Sequence, residues 1–251
     1  MQERKPILII GDSCKDIFVY CRCERLCPEA PVPVLDIVEK KENGGMAMNV
    51  FANLKKLKPN TAVITNDRWE NITKTRYVDI VTNQMFVRID NAPETKSFFK
   101  DVKNQIKYND FSAIIISDYN KGFLSEKDIE FIASKHKTTF LDTKKKIDNW
   151  AKNISFIKIN RKEYSLSKDF FDKNKKIRDK VIKTIGDQGT EYKGVIYGVN
   201  KVEVKDLSGA GDTFLAGLVS KYIDTKDIVK AIEFANECST IVVQKKGVST
   251  L

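Results

Sequence analysis

From Ser97 onward the sequence alternates short apolar runs with stretches of helical period, and this alternation narrows the fold more than any other feature. The spacing predicts helices over Phe98–Lys107 and Glu126–Lys135. Strands are predicted over Ala113–Ser117, Thr139–Leu141 and Phe156–Ile159. Strands interleaved with helices pair in parallel, and the helices cover both faces of the sheet. The expected class is α/β, three layers around a mostly parallel central sheet. Ligands of such sheets collect beyond the C-terminal ends of the strands. Asp118, Asp142, Lys144 and Asn160 all fall at those ends.

The stretch DLSGAGDTFL, 206–215, adds chemistry to that frame. Phe214, Leu215, Leu218, Val219 and Tyr222 recur at helical spacing, so the glycine-rich turn opens a helix. The first amides of a helix lack intrahelical partners, and Gly209, Ala210 and Gly211 can aim them at developing negative charge. Asp212 then stands where a base would take a proton from a hydroxyl. The same four residues also suit a plain tight turn with an acidic residue near the N-cap. No GxxxxGK[ST] loop occurs, so a nucleotide would be held in another way.

Before Ser97 the chain reads as strands with one helix. Pro6–Ile10 is a short strand ending at Gly11 and Asp12, and Asp16 precedes a strand at Ile17–Tyr20. Pro28, Pro31 and Pro33 punctuate the approach to Val34 and Ile37, as on an edge or protruding strand. Asn43, Gly44 and Gly45 are expected to form a turn that opens a helix over Met46–Lys58. That helix turns Ala47, Val50, Leu54 and Leu57 inward and carries Asn49, which can donate to and accept from hydroxyls. Thr61–Thr65 reads as a buried strand. Thr73–Val81 and Gln84–Ile89 read as two strands around Thr82 and Asn83, with Lys74, Arg76 and Arg88 facing either water or an anionic ligand.

Further along, Asn160 and Glu163 fit either a capping box or a pair facing one site. Val181–Ile185 is a strand followed by Gly186 and Gly189. Tyr192–Tyr197 and Lys201–Val204 are expected to pair as a hairpin. Ile228–Val243 is a last long helix, with Ile228, Ile232, Ala235, Ser239 and Val242 on one side.

Composition excludes several classes. The 251 residues are 41% apolar and suit one domain over 1–251. No run approaches the roughly 20 apolar residues of a membrane span, and Met1–Lys5 lead into a strand without a signal-peptide pattern, so a cytoplasmic protein is expected. The net charge of +10 raises a nucleic-acid binder as a rival, but Lys55, Lys103, Lys144, Lys175 and Lys245 are dispersed. A solvated basic surface that favours anionic substrates is expected instead. Five cysteines form no even framework, and Cys14, Cys21, Cys23 and Cys27 lack paired zinc-ligand spacing; His136 is the one histidine.

SGAGDTF resembles the C-terminal signature of the ribokinase-like (PfkB) sugar kinases, and NGGMAMN the N-terminal one. GDSCKD, LCPEAPVPV, TKTRYVDIVTNQMFVRID, ISDYNKG, LDTK and KKGVSTL follow in order and resemble, within that family, the D-glycero-β-D-manno-heptose 7-phosphate kinase domain of bifunctional heptose kinase/adenylyltransferases. The resemblance implies a ribokinase-like fold whose small β lid, about 17–42 and 73–90, covers the sugar and joins a second subunit as a homodimer. It implies ATP as phosphoryl donor with Mg2+, and K+ or a similar monovalent cation in the neighbourhood of Asp206. Asp212 would be the base beside Gly209, Ala210 and Gly211. Asp12, Asp16, Gly44, Gly45, Asn49, Lys74, Arg76, Arg88, Asp90 and Asp118 would meet the phosphorylated sugar. Asp142, Lys144, Asn160, Glu163, Thr184, Gly186, Gly189, Asn236 and Gly247 would meet the nucleotide, with Glu163 acting on magnesium indirectly.

The sequence departs from that family after Thr65, where only Asn66–Ile72 precedes the TKTR segment. A kinase for another sugar or small hydroxylated metabolite therefore stays open, as does a catalytically reduced binding protein. No adenylyltransferase domain is expected within 1–251, and that activity would belong to a separate partner.

Overall fold

The structure is a computed structural model and describes residues 5–92, 99–247 and 249–251. Its strands are β1 (Ile7–Gly11), β2 (Ser13–Leu26), β3 (Pro33–Met46), β4 (Thr61–Thr65), β5 (Thr73–Asp79), β6 (Met85–Asn91), β7 (Ala113–Asp118), β8 (Thr139–Thr143), β9 (Phe156–Asn160), β10 (Val181–Thr184), β11 (Thr190–Tyr192) and β12 (Val195–Tyr197). The helices are α1 (Ala47–Leu57), α2 (Phe99–Val102), α3 (Glu126–Lys135), α4 (Arg161–Leu166), α5 (Lys168–Lys173), α6 (Lys175–Arg178), α7 (Ala210–Thr225) and α8 (Ile228–Val243).

Among the described residues an eight-stranded sheet runs β12-β11-β10-β9-β8-β7-β1-β4. It is parallel from β10 to β4, and β11 pairs antiparallel with both β10 and β12. Apolar runs such as Ile7–Ile10 suit strands covered on both sides. Leu8 and Ile10 pack with α3, and with Trp150 and Phe171, on one side. Ile7 and Ile9 pack with Val50 of α1, Leu215 of α7 and Ile232 of α8 on the other. Each fully buried Ile or Leu contributes about 1.5–3 kcal/mol relative to exposure. This core, rather than any polar contact at the site, holds the three layers together.

Helix starts follow local chemistry. Ser125 and Asp128 form a capping box on α3, and the Asp227 carboxylate accepts the Val229 and Lys230 amides on α8. A second sheet of four strands, in the order β3-β2-β5-β6, forms the lid. β2 begins one residue after β1 ends, and Asp12 is that residue. The lid strands extend past the predicted limits, pairing from Ser13 to Met46 and from Thr73 to Asn91.

Several predicted elements differ. Asn43, Gly44 and Gly45 are strand residues of β3, not a turn. The reason is close packing: a Cβ on Gly45 would stand 2.2 Å from Asp16 Oδ2 and 2.9 Å from Cys14 Sγ on β2. The turn into α1 is made by Met46, at φ 59°. Thr61–Thr65 is half-buried, because β4 lies at the sheet edge with β1 as its one strand neighbour. Phe98, where a helix was predicted to start, lies outside the described residues; α2 is a single turn, and the Tyr108 hydroxyl donates to the Lys103 carbonyl just beyond it. Lys201–Val204 forms no strand. The hairpin is β11–β12, fixed by Lys193 and Gly194, both at positive φ. No helix among the described residues is long and apolar enough to cross a membrane.

Candidate active site

Asp212 sits in the first turn of α7, 5% exposed, above the C-terminal edge of the large sheet. Gly209 opens that helix at φ 83°, a left-handed conformation that favours glycine. One Asp212 carboxylate oxygen accepts from Asn49 Nδ2 at 2.9 Å, the other from the Tyr119 hydroxyl at 2.6 Å. Asn49 is itself held by Asn53, whose Nδ2 donates to the Asn49 carbonyl and side-chain oxygens. Burial pushes the Asp212 carboxyl up to about 6; the two hydrogen bonds and Lys158 pull it down, and Asp142 pushes it further up. A carboxylate poised there can take a proton near neutrality.

Beside Asp212 lies a cluster of alternating charges from the ends of β8, β9 and α4. Lys158 Nζ donates to Asp142 Oδ2 at 2.6 Å, and both side chains are buried. Lys144 bridges Asp142 Oδ1, 3.7 Å away, and Glu163 Oε1. Its ammonium is held above its ordinary pKa by Asp142 and Glu163, against the opposing effect of burial. A Cβ on Gly211 would stand 2.9 Å from Lys158 Nζ, so the missing side chain brings this cation against the N-terminus of α7. A cation there opposes the helix dipole. An incoming phosphoryl group would satisfy both.

The lid supplies the facing wall. Arg76 Nη1 pairs with Asp16 Oδ1 at 2.6 Å, with both largely buried, and its guanidinium lies 5.0 Å over the Phe18 ring. The register sets Arg76 opposite Arg88 and Lys74 opposite Asp90, so these four share a sheet face. Lys74 reaches the Tyr119 ring from that face, 5.4 Å from its centroid. Arg88 forms a bidentate pair with Asp90 at 2.9 and 3.0 Å and is half exposed on the lid's edge strand. A cavity of about 280 Å³ lies further along the lid, between Phe18, Tyr20 and Lys41 and the chain-end residues Lys246 and Gly247.

Residues 70–251 match the pfkB family carbohydrate kinases. The chain belongs to that family. Family membership makes it a carbohydrate kinase, an enzyme that transfers a phosphoryl group to a sugar hydroxyl. The chain is 31% identical over 297 residues to the "Bifunctional protein HldE" of Helicobacter pylori strain J99, covering 97% of this chain and 64% of the relative. It is 28% identical over 288 residues to the same-named protein of Campylobacter jejuni, covering 98% and 62%. It thus spans a little under two thirds of these relatives' length. A ribokinase from Thermotoga maritima superposes with a TM-score of 0.73 at 19% identity, covering 97% of this chain and 94% of that one. Phosphofructokinase-2 from Escherichia coli, solved with potassium, gives 0.71 at 12% identity over 98% and 94%. These establish the ribokinase-like fold: a three-layer α/β/α body with a smaller β lid.

ATP and Mg2+ dependence is typical of this family, and the donor set accommodates it. Asp142 Oδ1 is buried without a hydrogen-bond donor, next to Lys144, Lys158 and Glu163. One acceptor oxygen among cations fits a hydrated magnesium carried on nucleotide phosphates better than a protein cage. Among the described residues no three His, Cys, Asp or Glu side chains converge on a metal, and all five cysteines are free.

Several predicted contact residues have internal partners. Asp12 accepts the Tyr119 and Phe123 amides at 2.7 and 3.3 Å, and Asp118, fully buried, binds Lys145 at 2.6 Å as well as the Thr143 hydroxyl. The Ala210 amide donates to the Leu207 carbonyl at 3.3 Å, which takes it out of the predicted trio of donors. Asn160 and Glu163 form a reciprocal capping box. Asn236 binds the Thr190 hydroxyl and the Tyr197 carbonyl, pinning the β11–β12 hairpin. Gly189 is required because a Cβ would stand 2.1 Å from the Tyr197 carbonyl oxygen, whereas Gly186, at φ 68°, faces open space beside Thr184. Asp206 accepts the Ser208 and Gly247 amides and braces the loop before α7 against the chain end.

Sequence reasoning missed Tyr119, Lys145 and Lys158. Lys158 carried a usable signal: a lysine inside the apolar run Phe156–Ile159 is rarely buried unless paired.

Proposed function

We propose that the chain transfers the γ-phosphoryl group of ATP to the 1-hydroxyl of a heptose 7-phosphate, giving the 1,7-bisphosphate. The observation that carries this reading is the buried Asp212 carboxylate at the start of α7, facing the Lys144–Lys158 pair on one side and a basic lid face on the other. Asp16 and Asn49 orient the sugar, Asp212 takes the proton, and Lys158 with the Gly209 and Gly211 amides holds charge on the phosphoryl group in transit. Magnesium on the nucleotide would neutralise phosphate charge. Asp206 accepts one amide at each carboxylate oxygen, a brace that leaves lone pairs for the expected potassium ion. The product would pass to a separate partner with adenylyltransferase activity, and cytoplasmic ATP would supply the donor.

Arg88 is the residue assigned to the distal phosphate. Its exposed pair with Asp90 is worth about 0.2–1 kcal/mol, so a phosphate dianion can take the guanidinium over. Catalytic efficiency should be higher with heptose 7-phosphate than with the unphosphorylated heptose. Arg88→Ala should remove about tenfold or more of that preference, and Arg88→Lys should restore part of it. Equal use of both sugars by the wild type in an ADP-release assay would refute the acceptor assignment in favour of a neutral sugar.

A homodimer through the lid belongs to the same reading. The lid's outer face sets Cys21 opposite Ile37, Tyr77 opposite Val87 and Thr75 opposite Ile89. Ile37, Val87 and Ile89 are exposed. Such an apolar sheet face invites a matching one. Sedimentation should give a dimer that the double substitution Ile37→Lys and Val87→Lys converts to monomer; a wild-type monomer with full activity would overturn the assignment.

A further inference from the structure

We propose that the Tyr119 hydroxyl is a placeholder for the acceptor hydroxyl, capping Asp212 until the sugar displaces it and so keeping the base from activating water. The inference rests on Asp212 being the base, and it adds a positioning residue to that site. Both Asp212 oxygens already have donors, so an arriving hydroxyl competes for the carboxylate with the group that stands on its path. Asn49 is the poorer candidate. It is 1% exposed within α1 and fixed by two bonds from Asn53. Tyr119 is half-buried, stands beyond the end of β7, and presents a hydroxyl of the kind the acceptor brings, bonded at 2.6 Å in the position where proton transfer would occur.

The ring is clamped by groups that substrates would call away. Lys74 of the lid lies 5.4 Å from its centroid and Lys144, after β8, lies 5.0 Å from it. Cation–π contacts of this kind are weaker than a charge-assisted bond from an ammonium to a phosphate. A phosphate on the nucleotide draws Lys144 toward itself, and a sugar under the lid engages Lys74. The ring loses both clamps only when both substrates are present. Its backbone stays put, because Asp12 accepts the Tyr119 and Phe123 amides. Release is then a side-chain rotation, not a loop opening.

The cap decides which hydroxyl reacts. With a sugar in place, its proton passes to Asp212, its oxygen bonds to the γ-phosphorus, and the bond from that phosphorus to the β,γ-bridging oxygen breaks to leave ADP. Water in the same position would give ADP and inorganic phosphate by the same steps. Tyr119 occupies the place that water would take.

Tyr119→Phe keeps the ring and its clamps and removes the cap. Release of ADP from ATP and magnesium with no sugar added should rise at least about tenfold, with the 10²–10⁴-fold that a positioned base supplies as its ceiling. Adding Asp212→Asn to that variant should return it to the wild-type rate. The KM for heptose 7-phosphate should fall in Tyr119→Phe with kcat changed less, since the sugar no longer competes with the phenol. If Tyr119→Phe melts early, Lys74→Met, which removes one clamp, should raise sugar-independent ADP release in its place. Sugar-independent release no faster than wild type in a variant that melts normally would overturn the proposal. A raised rate in Tyr119→Phe from an enzyme that ignores heptose 7-phosphate would retain the cap and dismiss only the acceptor.

Discussion

Asp212→Asn should lose on the order of 10²–10⁴ in turnover and yet melt at a higher temperature than the wild type at neutral pH. The loss follows from removing the proton acceptor. The asparagine can keep both partners, accepting from Asn49 through its oxygen and donating to the Tyr119 oxygen through its amide, so no cavity opens. The gain follows from linkage. The carboxyl rises from an ordinary 3.8 to about 6 on folding, chiefly by burial, so the folded state holds the proton more tightly than the unfolded one. The corresponding stability is fully present below pH 3.8 and is lost as pH rises through 6. At pH 7 the ionised group therefore costs ~3 kcal/mol, which the neutral amide avoids. Turnover of the wild type should fall on the acid side with a midpoint near 6, as the base becomes protonated. Thermal melts of both proteins from pH 5 to pH 8, with ADP assays alongside, check each part. Turnover within about tenfold of wild type would remove Asp212 from its role.

Lys158→Met should be the most damaging single change among the charged residues of the site. It strands Asp142 Oδ2 in a buried position with only Lys144 nearby, and breaking one side of a buried pair costs about 3–5 kcal/mol. It also removes the cation that faces the start of α7. Stability and catalysis can be separated by adding Asp142→Asn, which removes the stranded charge. The double variant should recover most of the melting temperature and little of the turnover. Recovery of both would mean that Lys158 serves the fold alone.

Much of the large body was legible because each element is signalled locally. Ile228–Val243 and Glu126–Lys135 were predicted with their observed bounds, since an apolar stripe at helical period follows a capping residue in each. At the candidate site, Asp212, Asn49 and the strand-end residues Asp142 and Lys144 were named from the sequence, and the structure brings them together. The lid was less so. The Asp16–Arg76 pair joins residues 60 positions apart through a sheet register that no local pattern encodes. Gly45 looked like a turn glycine and is instead a strand residue at a close approach. Val202 and Val204 alternate like a strand, but they pair with no strand among the described residues. Asp12, Asp118 and Asn236 were read as ligand groups because they are polar and lie at strand ends or beside the expected nucleotide; the bonds they also make to amides, lysine and hydroxyls join distant parts of the chain and have no local signal.

The junction between β1 and β2 bears on how the lid works. Only Asp12 separates the last core residue from the first lid residue, and its carboxylate is tied to two amides of the 119–123 segment. A door needs a hinge of several loose residues, and this junction has one residue, tied at both carboxylate oxygens. The lid is laid out as a cantilever, with its root pair Ser13 and Met46 beside the core and its far tip at residues 27–32, beyond the register shifts of β2 and β3. Asp16 and Gly45 lie near the root, so any bending at the tip would be expected to leave their placement beside the core unchanged, with access and alignment governed at opposite ends of the same pair of strands.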